Sequence, residues 1–108
     1  MCALKGIREL CQAGAEAQNK GDHLAAEFFL RQALRQAVGV GSPVLEAKIL
    51  NTMGVFSMAS GSASKSVPLF AGALERVRRR IGEGNKLYTV INNNLHEAER
   101  LSLAAQAA

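Results

Sequence analysis

The chain matches itself when it is shifted by 40 residues, and this internal repeat limits the possible fold more than any other feature of the 108-residue sequence. The alignment needs no gap. The identical pairs are Leu10 with Leu50, Gly14 with Gly54, Gly21 with Gly61, Ala33 with Ala73, and Leu34 with Leu74, and the similar pairs are Ala26 with Ser66 and Leu30 with Phe70. A period of this length is typical of stacked supersecondary units, each too small to bury its apolar face alone.

The apolar residues between the matches recur at helical spacing, which predicts five helices and an all-α fold. Ala and Leu dominate the composition and β-branched residues are scarce, as expected of helices rather than strands. Gly21, Gly61 and the segment 82–84 are expected to end helices, and residues 104–108 to fray. Helix starts are predicted at Asp22, at Ser42 with Pro43, and at Asn85, with Pro68 in the first turn of the fourth helix and Leu24 on the apolar face of the second.

The repeated positions resemble the tetratricopeptide-repeat family. The two copies read Leu10, Ala13-Gly14, Gly21, Ala26, Leu30, Ala33-Leu34 and then Leu50, Met53-Gly54, Gly61, Ser66, Phe70, Ala73-Leu74. Their 40-residue period is similar to the longer repeats of the kinesin-light-chain type. The resemblance implies a single domain and a short right-handed solenoid, with one antiparallel helix pair at about 4–40, a second at about 42–82 and a capping helix at about 85–103. The alternative is an ordinary five-helix bundle whose 40-residue match is accidental.

The resemblance further implies an interaction module that binds a peptide or a partner-protein segment in a concave groove lined by the first, third and fifth helices. Asn and Gln amides suit an extended peptide backbone, and Arg or Lys suits an acidic segment or a C-terminus. The groove positions in this chain are Arg8, Gln12, Lys48, Asn51, Thr52, Val55, Met58, Tyr88, Asn92 and Leu95. Residues such as Arg8 and Lys48 are more often charges on a solvated face than ligands of a partner.

Two other functions stay open at this point. The apolar C-terminal helix, with Leu101 and Leu103, could support homo-oligomeric assembly. The cluster Arg76–Arg80 could contact nucleic acid, although cations near a helix C-terminus also complement the helix dipole. No aromatic platform accompanies the arginines, which makes nucleic acid the less favoured partner.

Enzymatic and cofactor-dependent functions have little support in the sequence. Cys2, Cys11, His23 and His96 lack the spacing of a zinc site, and no motif pairs a nucleophile with a base. We therefore expect no catalytic residue, metal or cofactor. No apolar run reaches the roughly 18 residues that span a bilayer, and no signal peptide is recognised, so a cytoplasmic protein without membrane contact is expected. The net charge of +4 favours anionic partners only mildly.

Overall fold

The computed structural model describes residues 2–107, and the side chains from residue 4 onward. It contains five α-helices: α1 (Cys2–Asn19), α2 (His23–Gly39), α3 (Pro43–Ala59), α4 (Ala63–Ile81) and α5 (Lys86–Ala107). The predicted all-α, five-helix fold is therefore confirmed. The strongest packing is within two helix pairs, α1 with α2 and α3 with α4, and α5 packs against α4.

The first three helix connections share one turn geometry. In the α1–α2 turn, Gly21 has φ +79°, its N–H donates to Gln18, and the N–H of Asp22 donates to the carbonyl of Ala17. The same two hydrogen bonds recur around Gly41 and Gly61, whose φ angles are +70° and +83°. This is the Schellman arrangement, in which a residue at positive φ turns the chain so that the next N–H groups donate hydrogen bonds to the last helical carbonyls. Three equivalent turns 20 residues apart therefore divide the chain into helices of similar length.

The predicted helix caps are also confirmed. The side chains of Asp22, Ser42 and Asn85 each accept the backbone N–H three residues later, at 3.1, 3.3 and 2.8 Å. Pro43 occupies the first turn of α3, where its missing N–H removes no helical hydrogen bond. Ser62 holds the equivalent place before α4 and makes no such bond.

Two details of the prediction are wrong. Pro68 is the sixth residue of α4, not a residue of its first turn, because the turn at Gly61 makes the helix begin at Ala63. The ring is exposed, so the helical hydrogen bond that Pro68 cannot donate is lost at the surface. The predicted end of the fifth helix at about residue 103 is also wrong, because α5 continues through Ala107, and Ala108 lies outside the described residues.

The repeated glycines lie where paired helices approach each other most closely. A Cβ atom on Gly14 would lie 3.1 Å from Cγ of Leu30, and one on Gly54 would lie 2.5 Å from Cε1 of Phe70. Leu30 and Phe70 are themselves a repeat pair, and both are buried in the core. The 40-residue match therefore corresponds to one packing arrangement that is used twice.

The helices stack in sequence order. Beyond the two pairs and the α4–α5 contact, α2 packs against α3, and α3 makes a minor contact with α5. The molecule measures 47 × 35 × 18 Å. Since packed helix axes lie about 8–10 Å apart, the short dimension accommodates two layers of helices. Each helix therefore packs mainly against its neighbours in the sequence, and all five contribute residues to one core.

α5 contacts α3 through a polar side chain, and its exposed residues are both polar and apolar, the apolar ones including Val90 and Leu103. Asn94 corresponds to Gly54 in the repeat, and its Nδ2 donates to Oδ1 of Asn51 on α3 at 2.9 Å. Asn93 and Glu97 beside it are exposed. α5 thus packs on α4 and reaches α3 with an amide at the position where α3 itself has a close-packing glycine.

Candidate functional site

A cleft of about 280 Å³ lies between α2 and α4, with α3 beneath it. Its inner surface is apolar, and its mouth carries both charged and apolar side chains. The apolar lining consists of Leu24, Ala26, Leu30, Met53, Phe56, Pro68 and Leu69, and the polar lining of Gln18, His23, Glu27, Arg31, Ser57, Ser60, Ser62 and Lys65. All four helices of the two pairs therefore contribute residues to the lining of the cleft, and neither pair forms the cleft alone.

Two large apolar side chains are exposed beside this cleft. Leu24 lines its mouth with 82% of the residue exposed, and Phe28, one turn further along α2, is 57% exposed. The Phe28 ring packs edge-on against the ring of Phe29, and the two ring centroids are 5.7 Å apart. Neighbouring apolar residues left in water often mark an interaction surface. The predicted place of Leu24 on the buried face of α2 is wrong, because the core residues Ala26 and Leu30 lie about 120–160° away around the helix.

An ion pair joins α2 to α4 across the cleft. Oε1 of Glu27 accepts a hydrogen bond from Lys65 of α4 and a longer one, at 3.4 Å, from Arg31. The hydrogen bond from Lys65 holds the pKa of the Glu27 carboxyl below its ordinary value. Two cations thus share one carboxylate, which leaves the mouth of the cleft with a net positive charge when His23 is neutral.

A hydrogen-bond network closes one end of the cleft. His23 Nδ1 lies 3.0 Å from Gln18 Oε1 and 2.9 Å from Ser60 Oγ, and the Ser60 hydroxyl donates to the Phe56 carbonyl at 2.8 Å. Gln18 Nε2 also donates to that carbonyl, which turns Oε1 toward the imidazole. Because Oε1 only accepts, its contact with the imidazole requires the tautomer in which Nδ1 carries the proton. The network ties the α1–α2 turn to the end of α3.

Two of the predicted groove residues of α3, Asn51 and Val55, lie on the opposite side of that helix from the cleft. Asn51 and Val55 are each two residues away from Met53, which lines the cleft, so they point about 160° away from it. The Thr52 hydroxyl is engaged by its own helix, donating to the Lys48 carbonyl at 3.0 Å. Val55 and Lys48 are exposed.

The remaining predicted residues are distributed over three helices. Met58, Tyr88 and Leu95 pack against the core, and Met58 also lines a second hollow of about 390 Å³ beside the C-terminal part of α5. Asn92 is half-buried. The amide of α5 that contacts α3 is that of Asn94.

On α1, Arg8 and Gln12 are both exposed, and Gln12 donates to Glu16 on its own helix at 3.4 Å. Within the described residues, no hydrogen bond or ion pair joins these two side chains to α3 or α5. Among the described hydrogen bonds between these helices, the only member of the predicted row that takes part is Asn51, whose partner Asn94 is not one of the predicted residues. The row stays a prediction.

The arginine cluster of α4 is largely paired with carboxylates. Arg76 Nε contacts Glu46 Oε1 at 3.0 Å, and Arg78 and Arg79 contact Glu75 at 2.7 and 2.8 Å. These pairs reduce the positive field that a phosphate backbone would meet.

Other groups that carry chemistry are isolated. Burial raises the pKa of the Cys11 thiol, which is half-buried and not in a disulfide, while the side chain of Cys2 lies outside the described residues. Residues 2–107 contain no group of three or more candidate metal ligands. No helix in this range is long and apolar enough to cross a membrane.

No family model, curated protein or solved structure matches the chain.

Proposed function

We propose that this protein is a small helical-repeat interaction module that binds a segment of a partner protein, and that the α2–α4 cleft receives an apolar side chain of that segment. The observation that carries the proposal is the apolar cleft with Leu24 exposed at its mouth and Phe28 exposed one turn further along α2. Burying such side chains contributes about 1.5–3 kcal/mol each, which is enough to anchor a short segment.

The size of the cleft favours a side chain over a free small molecule. Its volume of about 280 Å³ is at the lower limit of the roughly 300–1,000 Å³ of small-molecule pockets. Its mouth opens between α2 and α4 beside the exposed Leu24, and Phe28 is exposed one turn further along α2. A segment lying along α2 could therefore place one residue in the cleft and cover Leu24 and Phe28 with its neighbours, as an amphipathic helix does in a groove.

A comparison of three variants tests this proposal. Leu24→Ser changes the mouth of the cleft, Val55→Ser changes the predicted row on the other side of α3, and Leu103→Ser changes an exposed leucine of α5 that lines neither hollow. The three side chains are 82%, 37% and 65% exposed, so each variant is expected to fold. The probes are 12-residue peptides selected from a random displayed library against the unaltered protein.

Leu24→Ser is expected to weaken binding of the selected peptides by about tenfold, since it removes most of one buried leucine side chain from the contact. Val55→Ser and Leu103→Ser are expected to bind as the unaltered protein does. Loss of binding in Val55→Ser alone would move the site to the predicted row on α1, α3 and α5. Equal binding by all three variants would refute both surfaces.

Self-assembly through α5 has less support than partner binding. Leu103 is exposed, but Asn93, Glu97 and Arg100 on the same helix are exposed polar residues. Sedimentation over a wide concentration range separates the two functions. A dimer that Leu103→Ser dissociates would favour assembly.

A further inference from the structure

We infer that the segment bound by the α2–α4 cleft is acidic, with a carboxylate placed next to its apolar anchor and held by Arg31 and Lys65. This inference rests on the proposed function and adds the chemical class of the partner.

The charges at the cleft are unequal. Among its lining residues, Glu27 is the sole carboxylate, whereas Arg31 and Lys65 are both cations. Arg35 lies one further turn along α2 and is also exposed. The strip that begins at Leu24 and Phe28 is therefore bordered by positive charge, which attracts an acidic segment and disfavours a basic one.

The two cations retain unused hydrogen-bonding capacity. An ammonium has three N–H donors and a guanidinium has five, yet both Lys65 and Arg31 are directed to one atom, Oε1 of Glu27. The Arg31 contact is long at 3.4 Å, and the side chains of Arg31 and Lys65 are 56% and 52% exposed. A carboxylate entering with the partner could take two of the remaining donors of Arg31 in a bidentate pair.

The second helix pair has no such arrangement. Forty residues after Leu24, Glu27 and Arg31, α4 carries Ser64, Val67 and Ala71. The exposed leucine and the two charges are thus specific to α2 and do not follow from the repeat itself. A feature required only for packing a helix pair would be expected in both pairs.

The arginines at the end of α4 are a weaker candidate for an acidic partner. Arg78 and Arg79 share Glu75 in tight contacts of 2.7 and 2.8 Å, and neither residue lines the cleft or the second hollow. They would attract an acidic chain without giving an apolar side chain a place to bind.

The test selects 12-residue peptides from the random displayed library on the unaltered protein, and then compares each synthetic peptide with its Glu→Gln and Asp→Asn analogues. The protein variants are Arg31→Gln and Lys65→Gln, with Arg79→Gln as a matched control that also removes an arginine bonded to a glutamate. Affinity is measured by fluorescence anisotropy at two salt concentrations.

Peptides that depend on Leu24 are expected to be enriched in Asp and Glu. Their neutral analogues, and the Arg31→Gln and Lys65→Gln proteins, are expected to bind about fivefold more weakly, with a smaller difference at high salt. Arg79→Gln should leave the affinity unchanged. Glu27→Gln should strengthen binding of acidic peptides by a similar factor, because it removes the carboxylate that competes for both cations. A merely structural role for Glu27 would not produce this gain.

The two proposals fail in different ways. Selected peptides that depend on Leu24 but carry no excess of acidic residues, and bind Arg31→Gln as tightly as the unaltered protein, would overturn the acidic partner and leave the binding cleft in place. If no selected peptide depends on Leu24, the cleft itself is refuted and the inference falls with it.

Discussion

Replacing Gly54 with alanine tests the packing on which the repeat depends. A Cβ atom at this position would lie 2.5, 2.7 and 2.8 Å from three ring carbons of Phe70, whereas ordinary carbon contacts are about 3.5–4.0 Å. Phe70 is fully buried, so the ring can move by the required distance of about 1 Å only if its neighbours move too. Overpacking of this kind lowers the free energy of unfolding by about 1–3 kcal/mol, whereas the higher helix propensity of alanine raises it by about 1 kcal/mol.

Gly14→Ala is the matched control, because it makes the same substitution at the equivalent position of the first helix pair. Its Cβ would lie 3.1 and 3.3 Å from two carbons of Leu30, so the neighbouring side chain has to yield by only a few tenths of an ångström. The propensity gain is common to both variants and cancels in their comparison. We therefore expect Gly54→Ala to be about 1–3 kcal/mol less stable than Gly14→Ala.

Urea unfolding, followed by circular dichroism at 222 nm, measures this difference directly, and thermal unfolding should place the two midpoints at least about 4 °C apart. Phe70→Leu provides a second check, because it gives the second pair the glycine–leucine contact of the first. In the Phe70→Leu protein, Gly54→Ala should therefore lower the free energy of unfolding by less than it does in the unaltered protein. A double-mutant cycle measures this difference as the coupling energy between positions 54 and 70. Equal stability of Gly14→Ala and Gly54→Ala would refute the close approach of α3 to α4.

Three further predictions concern single contacts. Ser66→Ala removes the buried hydroxyl that donates to the Gly54 carbonyl at 2.9 Å and should lower the free energy of unfolding by about 0.5–1.5 kcal/mol in urea titrations. Asn94→Ala, which breaks the amide contact to α3, should destabilise the protein by about 1 kcal/mol, whereas Asn92→Ala should not. Because the folded-state pKa of Glu27 is lowered, its ion pair stabilises the protein above the ordinary pKa near 4.5, and this contribution is lost as the pH falls through the lowered value. The stability difference between the unaltered protein and Glu27→Gln should therefore disappear in acid, and a constant difference from pH 7 down to pH 3 would contradict this assignment.

The helix boundaries were largely predictable because each depends on local chemistry. A positive φ at Gly21 and Gly61 and a side-chain cap at Asp22 or Ser42 involve only residues within one turn of the boundary. Pro68 shows the limit of such reasoning. A proline is unfavourable inside a helix when only the local sequence is considered. Here the turn before α4 makes the helix begin at Ala63, five residues before Pro68, so the proline lies beyond the first turn.

The cleft was not predictable in this way, because its residues come from four helices. Lys65 reaches Glu27 across 38 positions, and Ser60 reaches His23 across 37. Nothing in the periodicity of either helix specifies such a pairing. The sequence signal that was available is Leu24 followed by Phe28 one turn later, outside the buried stripe of α2.

The repeat explains why comparing the two copies finds the scaffold and misses the cleft. Gly14 and Gly54 match because each admits a bulky side chain from the paired helix, and each helix pair must solve that same packing problem. The α2–α4 cleft exists only once, since α5 has no partner helix after it in the described part of the chain. Residues that serve the cleft are under no requirement to recur, and Glu27 indeed has Val67 as its counterpart. In a duplicated fold of this size, the exposed positions at which the copies differ are therefore the better guide to the binding surface.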